Sequence, residues 1–199
     1  MRIQASTMTC ERGQSLLETA LLMPLVLLLV LNVVNFGYFF VVAVNLAAAP
    51  RSGVMYSIMG FQTPGSLNLP NAGPPSTNNT VSHLSQQDLT GAINNPTGAT
   101  LQVCSITVGL AGTGANTKSL CVSCTGSSCG GSGAGSPVPS ADPEAPNFIL
   151  HRVDVTYTFS PLIPGTPFGL ALLPMTACSV SGGNVLCTFH RQVSMRVMG

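Results

Sequence analysis

The sequence predicts an α+β protein: one long, membrane-embedded N-terminal helix followed by a small antiparallel β-rich domain with long loops and disulfides. Three observations carry this. No charged residue stands between Thr19 and Pro50, whereas about 20 apolar residues suffice to cross the roughly 30 Å hydrocarbon core of a bilayer. Beyond that run, short segments alternate apolar and polar residues with the period of two that a half-buried strand requires. Six cysteines, Cys104, Cys121, Cys124, Cys129, Cys178 and Cys187, lie past the apolar run, and only Cys10 precedes it. An even set on one side of the run suits disulfides in an oxidising compartment.

Composition removes one class of function. Seven Lys or Arg and six Asp or Glu leave a formal net charge of +1, so no basic field exists to hold nucleic acid.

Residues 1–13 read as a short polar leader. Residues 14–59 read as a long hydrophobic helical segment, continuous from Gln14 to about Ala49, with a transmembrane part at about 17–40. Such a helix outruns the bilayer by several turns at 1.5 Å per residue, so its surplus must pack on something outside. Pro24 removes one backbone hydrogen bond within the span, and Pro50 is expected to end or bend the helix. Phe36, Tyr38, Phe39 and Phe40 fall where an aromatic belt meets the far headgroups. Arg2 and Arg12 precede the span and Arg51 follows it, which by the positive-inside rule places the N-terminus in the cytoplasm and residues 60–199 outside. A cleaved secretory signal fits poorly, because its apolar core is only about 7–15 residues and cleavage after Ala47-Ala48-Ala49 would leave Pro50 at the cut. Cys10 precedes the run, so a lipoprotein signal fits no better.

Outside the span, residues 60–80 are rich in Pro, Gly, Asn, Ser and Thr and read as loop. Val81, Leu84, Leu89, Ala92 and Ile93 mark a short amphipathic helix before Asn94-Asn95-Pro96. Residues 101–108 alternate as a strand with Cys104, Ile106 and Val108 on one face. Residues 125–147 are small or proline and read as a flexible loop. The clearest strand follows: Val153, Val155, Tyr157 and Phe159 alternate with Arg152, Asp154, Thr156 and Thr158. Taking Gly182-Gly183 as a two-residue hairpin turn pairs 181 with 184 and, counting outward, Cys178 with Cys187. In a non-hydrogen-bonded pair of this kind the Cα separation is about 4.5 Å, within reach of a disulfide, so Cys178 and Cys187 are expected to be bridged. The alternation of Val193, Met195 and Val197 extends this strand toward the C-terminus. The other four outer cysteines allow three connectivities.

Motifs that suggest chemistry lack their context. Cys121-Val-Ser-Cys124 has redox or zinc spacing, but it runs into Gly/Ser-rich chain and not into a helix N-terminus, and structural disulfides fit better. Gly126-Ser127-Ser128-Cys129-Gly130 matches a nucleophile elbow without the flanking strand and helix. His83, His151 and His190 occur in no ligand spacing. Asn78-Asn79-Thr80 is a glycosylation sequon by letter only. The chain reads as a non-enzyme, with no cofactor and no metal site.

Glu18 is the residue that asks for an explanation. A carboxylate at the bilayer centre costs about 2.5–3.5 kcal/mol, although near the start of a helix it meets a favourable dipole. Gly13, then Gln14, then Glu18 as the fifth residue from Gln14, then a long apolar helix, resembles the processing site of type IV prepilins and pseudopilins. More closely, the segment from Arg12-Gly13-Gln14-Ser15-Leu16-Leu17-Glu18 through Thr19-Ala20-Leu21-Leu22-Met23-Pro24, followed by Asn35-Phe36-Gly37, resembles the opening of the TadE-like family of Flp/Tad pilus biogenesis. The resemblance is specific over about residues 11–60. It implies a pilin-like architecture in the bacterial inner membrane and cleavage between Gly13 and Gln14 by a prepilin peptidase. It also implies that Glu18 serves as a register charge toward a neighbour's new α-amine. The implied partners are that peptidase, other pilins or pseudopilins, Tad inner-membrane assembly proteins and the lipid bilayer. The competing readings are a generic single-pass anchored binding protein with no leader processing and, further off, a redox enzyme using Cys121 and Cys124.

Overall fold

Helix α1 spans Glu11–Ile58 and contains both Pro24 and Pro50. The computed structural model describes residues 11–59, 72–109, 118–130 and 147–196. Of the two outcomes expected at Pro50, an end or a bend, the end does not occur: the helix runs on for two further turns. An internal proline costs about 3 kcal/mol, but Leu46, Ala49 and Val54 on either side of it are fully buried. Burying side chains of this kind returns about 1.5–3 kcal/mol each for the larger ones, enough to hold the helix through the defect.

A second helix, α2 (Val81–Leu89), is capped by Thr80, whose hydroxyl accepts from the His83 amide at 3.0 Å. Six strands follow: β1 (Thr100–Gly109), β2 (Lys118–Thr125), β3 (Ser128–Gly130), β4 (Asn147–Phe159), β5 (Cys178–Ser181) and β6 (Asn184–Arg196). They form one sheet in the order β3-β2-β1-β4-β6-β5, and every neighbouring pair is antiparallel. The fold is therefore α+β, with a long apolar helix ahead of an antiparallel sheet.

Residues 125–147, expected as one flexible loop, are not all loop. Thr125 and Ser128–Gly130 belong to a tight hairpin, and Asn147 already lies in β4. The hairpin is stapled by the Cys124–Cys129 disulfide, which closes a turn that Gly and Ser alone would leave open. The part of that segment from 131 to 146 lies outside the described residues.

One face of the sheet packs on α1. Val103 lies opposite Val153, and Leu101 opposite Val155; these four join Tyr157, Phe159 and Phe189 in a single core with α1. The helix contributes a stripe of buried residues, Phe39, Val42, Leu46, Ala49 and Gly53, spaced alternately three and four apart. That spacing keeps one helix face toward a partner over several turns. Val153, Val155, Tyr157 and Phe159 take the core face, as their alternation requires. On β1 it is Leu101 and Val103 that take it; Cys104 is fully buried on the opposite face, beside Arg152.

The aromatic belt is only half a belt. Phe36 and Phe40 are exposed, but Phe39 is buried at 9% exposure and Tyr38 is half-buried. Phe39 meets Phe159 edge-on at 5.5 Å and Phe189 at 5.1 Å, while Tyr38 lies 5.4 Å from Phe159. These two rings anchor the sheet to the helix, because the C-terminal end of β4 reaches down to their level.

Candidate functional site

The N-terminal end of α1 carries the residues that the sequence singles out. Gly13 and Gln14 lie within its first turn. Glu18 is exposed, as are all residues from Leu16 to Leu27; Leu28 is half-buried and Asn32 is the first buried residue. The helix therefore stands clear of the domain for about 18 Å, from Leu16 to Leu27 at 1.5 Å per residue. Its surface there is apolar on all sides apart from Glu18 and its neighbours, as a lipid-facing helix requires. The helix is long and apolar enough to cross a membrane.

Extending the buried stripe backward gives Asn35 and Asn32, and further back Leu28, Leu25, Leu21 and Glu18, in the same alternation of three and four. Sequence spacing thus carries the alternation to Glu18, which at a drift of about 20° per heptad stands about 40° round the helix axis from Asn32.

Asn32 was not singled out by sequence reasoning, and Asn35 only as part of Asn35-Phe36-Gly37, yet their side chains tie the helix to the domain. Asn35 Nδ2 donates to the carbonyls of Ile163 at 3.0 Å and Phe168 at 2.7 Å, and its Oδ1 accepts from the Ile163 amide at 3.0 Å. Asn32 Nδ2 donates to the Pro167 carbonyl at 2.8 Å, and its Oδ1 accepts from the Ala171 amide at 3.4 Å. Two side-chain amides thereby clasp the segment between β4 and β5. The arrangement satisfies polar groups that are costly to leave bare in an apolar setting. The signal was present in the sequence: two asparagines three apart, one and two helical steps before Phe39, on the stripe that later buries Val42 and Leu46.

The cysteines form three cross-strand bridges. Cys104 pairs with Cys121, Cys124 with Cys129, and Cys178 with Cys187. In each case the partners stand directly opposite in the strand register. Gly182 and Gly183 both take positive φ, 56° and 77°, the geometry a two-residue turn of this kind needs. Cys121 and Cys124 are bonded to different partners, so the Cys-Val-Ser-Cys segment is not a dithiol pair here.

The histidines are dispersed. His83 contacts the Pro75 carbonyl through Nδ1 at 2.7 Å, and His190 lies 3.2 Å from Asp154. His151 is buried, and its Nδ1 donates to the Ser57 carbonyl at 3.0 Å, tying β4 to the far end of α1. Burial lowers the His151 pKa, and the Ser57 hydrogen bond opposes that in part. On the face of the sheet away from α1, Arg152 Nε donates to Asp154 at 2.8 Å, with both side chains almost wholly buried. Arg152 also approaches the Cys104 sulfur at 3.9 Å. Among the described residues no group of three His, Cys, Asp or Glu is placed to hold a metal ion. In the Asn78-Asn79-Thr80 sequon the Thr80 hydroxyl is buried and engaged as the α2 cap.

Residues 13–54 match the family model of TadE-like protein. The matched segment opens on Gly13 and includes Glu18, both asparagines of the clasp and the buried stripe as far as Gly53. No curated protein and no solved structure matches the chain.

Proposed function

We propose that this TadE-like chain is a minor pseudopilin: a structural or assembly component of a Tad-type pilus or related secretion apparatus in the bacterial inner membrane. It crosses the bilayer once, with residues 1–13 as a cytoplasmic leader and the disulfide-bonded domain outside. A prepilin peptidase cuts between Gly13 and Gln14. The work of the chain is assembly and not catalysis, and its partners are other pilins or pseudopilins and Tad inner-membrane proteins.

The observation that carries this reading is the coincidence of Gly13, Gln14 and Glu18 at the head of a helix left clear of the domain, within the segment that matches the TadE-like model. Cleavage after Gly13 frees an α-amine four residues before Glu18, about 6 Å along the helix axis. A neighbouring subunit displaced by that rise brings its amine level with this carboxylate. Each charge is costly in the membrane without the other, so the pair favours one axial register over its alternatives.

Mass spectrometry of the membrane-extracted protein tests it. The N-terminus is expected at Gln14, and an intact leader in cells with an active prepilin peptidase would sink the reading. Gly13→Ala should block cleavage, whereas Glu18→Ala should spare cleavage and impair assembly. Normal assembly of the Glu18 variant would remove the pairing role.

A further inference from the structure

The membrane end of the domain has a composition of its own. Between Val155 and Phe189 the chain has no Asp, Glu, Lys or Arg. Among the residues whose side chains are described, and apart from α1 and Met59 directly after it, the large apolar side chains left exposed are Leu162, Leu170, Leu173 and Val180. All four lie in that charge-free stretch. Leu162, Leu170 and Leu173 belong to the segment clasped by Asn32 and Asn35. Val180 lies on the β5–β6 hairpin, whose turn is tied to the same segment by Thr166 N–H to the Gly183 carbonyl at 3.0 Å and Gly165 N–H to Asn184 Oδ1 at 2.8 Å.

We infer that this segment is a collar inserted into the outer leaflet around α1, with Leu162, Leu170 and Leu173 in contact with lipid. The inference rests on the single-span reading proposed above. Depth along the helix supports it. The stretch of α1 clear of the domain covers about 18 Å, short of a hydrocarbon core of roughly 30 Å. Counted from Glu18, Asn32 and Asn35 stand about 21 and 26 Å along the axis. With the near boundary placed at Glu18, the clasped segment lies about 4–9 Å inside the far boundary of a hydrocarbon core of roughly 30 Å. This is the depth, about 5–10 Å, at which interfacial elements bury their apolar faces.

Backbone at that depth must be satisfied by protein. The asparagine clasp does this for Ile163, Pro167, Phe168 and Ala171, and successive 3-10 turns do it for the Gly165, Thr166, Gly169 and Leu170 carbonyls. A water-facing loop has no need of a helix-borne amide donor for its carbonyls or of three outward leucines. Lipid is the occupant because the exposed leucines and the exposed Val33, Phe36 and Phe40 of α1, at the level of the asparagines, all lie in stretches of chain without a charged residue.

The chain contains no tryptophan, so single-tryptophan variants report position directly. The full chain is reconstituted in phosphatidylethanolamine and phosphatidylglycerol vesicles doped with phosphatidylcholine brominated at shallow or deep acyl positions. Leu170→Trp and Leu162→Trp report the collar, Leu25→Trp the span, and Gln87→Trp the distal helix α2, whose Asp88 is held by Ser52, about 26 Å beyond Asn35 on α1. Both collar tryptophans should be quenched at least twofold by the shallow bromines, Leu25→Trp by the deep ones, and Gln87→Trp by neither. Collar quenching no greater than at Gln87→Trp, with Leu25→Trp still quenched, overturns the collar and leaves the span standing. If Leu25→Trp is also unquenched, span and collar fail together. Blue-shifted collar emission without bromine quenching means that protein, a second copy for example, covers the leucines, and this too overturns the inference.

Discussion

Replacing Asn35 by alanine should release the clasped segment from α1 while leaving the sheet folded. The side chain makes three hydrogen bonds, to the carbonyls of Ile163 and Phe168 and from the Ile163 amide. At about 0.5–1.5 kcal/mol net for each, the loss is about 3 kcal/mol, since the partners left behind are partly buried and poorly placed to recover water. The cost falls on local opening of residues 161–172 and not on global unfolding, because the core packing of Phe39 on Phe159 and Phe189 is untouched. In the exchange regime set by local opening, 3 kcal/mol corresponds to about two decades in rate. Hydrogen exchange of the full chain in lipid nanodiscs, read by mass spectrometry on peptides covering that segment, should show amides there exchanging about 100-fold faster. Peptides from β4 and β6 should be unchanged. Asn45→Ala is the control, since Asn45 only donates back to the Val41 carbonyl on its own helix at 2.8 Å. A change below threefold in Asn35→Ala, or an equal change in Asn45→Ala, refutes the clasp as the element that holds the domain's lower end on the helix.

Three further outcomes follow from the packing. At Gly53 an added Cβ collides with the Ser85 side chain of α2, so Gly53→Val should destabilise by about 1–3 kcal/mol. Ser85→Gly in the same chain should recover part of that loss, as read from the urea midpoint in detergent. His151 has its pKa lowered by burial, so its neutral form stabilises the fold above the free value of 6.5 and that contribution drains away as pH falls below it. The slope of stability between pH 6.5 and 5.5 should be steeper in the wild type than in His151→Gln; equal slopes refute the assignment. The Cys104–Cys121 bridge closes a separation of 17 residues, for which the chain-entropy estimate is about 3 kcal/mol. The double variant Cys104→Ser/Cys121→Ser should lower the unfolding free energy by about that amount with the other two bridges intact by non-reducing peptide mapping.

Features that obey a local period were legible in the sequence. The charge-free run specified a long helix because nothing but a helix satisfies its own backbone in lipid. The alternation from Val153 to Phe159 specified a strand and its core face, and Gly182-Gly183 specified a hairpin and its register. What escaped depends on what the far side of an element meets. Arg152 and Asp154 sit at positions that alternation assigns to solvent, yet they are 2% and 4% exposed. They are tolerated there because they pair at 2.8 Å and Asp154 has a second partner in His190. Pro50 misled for the same reason: a local rule about helices yields to tertiary packing when the flanking residues are fully buried. What Asn32 and Asn35 clasp has no local signature, because their partners in the domain lie at sequence separations of 128 to 139 residues.

The stripe on α1 joins these observations to the proposed role. One alternation of three and four along α1 runs through Glu18, Leu21, Leu25 and Leu28, then the two asparagines, then the apolar residues that seat the sheet. Below Leu28 its members are exposed; from Asn32 upward they are covered by the chain's own domain. The asparagines lie at the junction, and because a side-chain amide bonds in fixed directions they set the rotation of the domain about the helix as well as its height. The helix runs unbroken through Pro24 from Glu18 to Asn32, and so links the orientation of one to that of the other. Pairing of Glu18 with a neighbour's amine, as proposed, would then fix more than axial register: it would also fix the direction in which each domain faces. An assembly that depends on that direction should be impaired by Asn32→Ala together with Asn35→Ala even though Gly13, Gln14 and Glu18 are intact. Processed but unassembled protein in that double variant is the expected result, and wild-type assembly would show that helix register alone suffices.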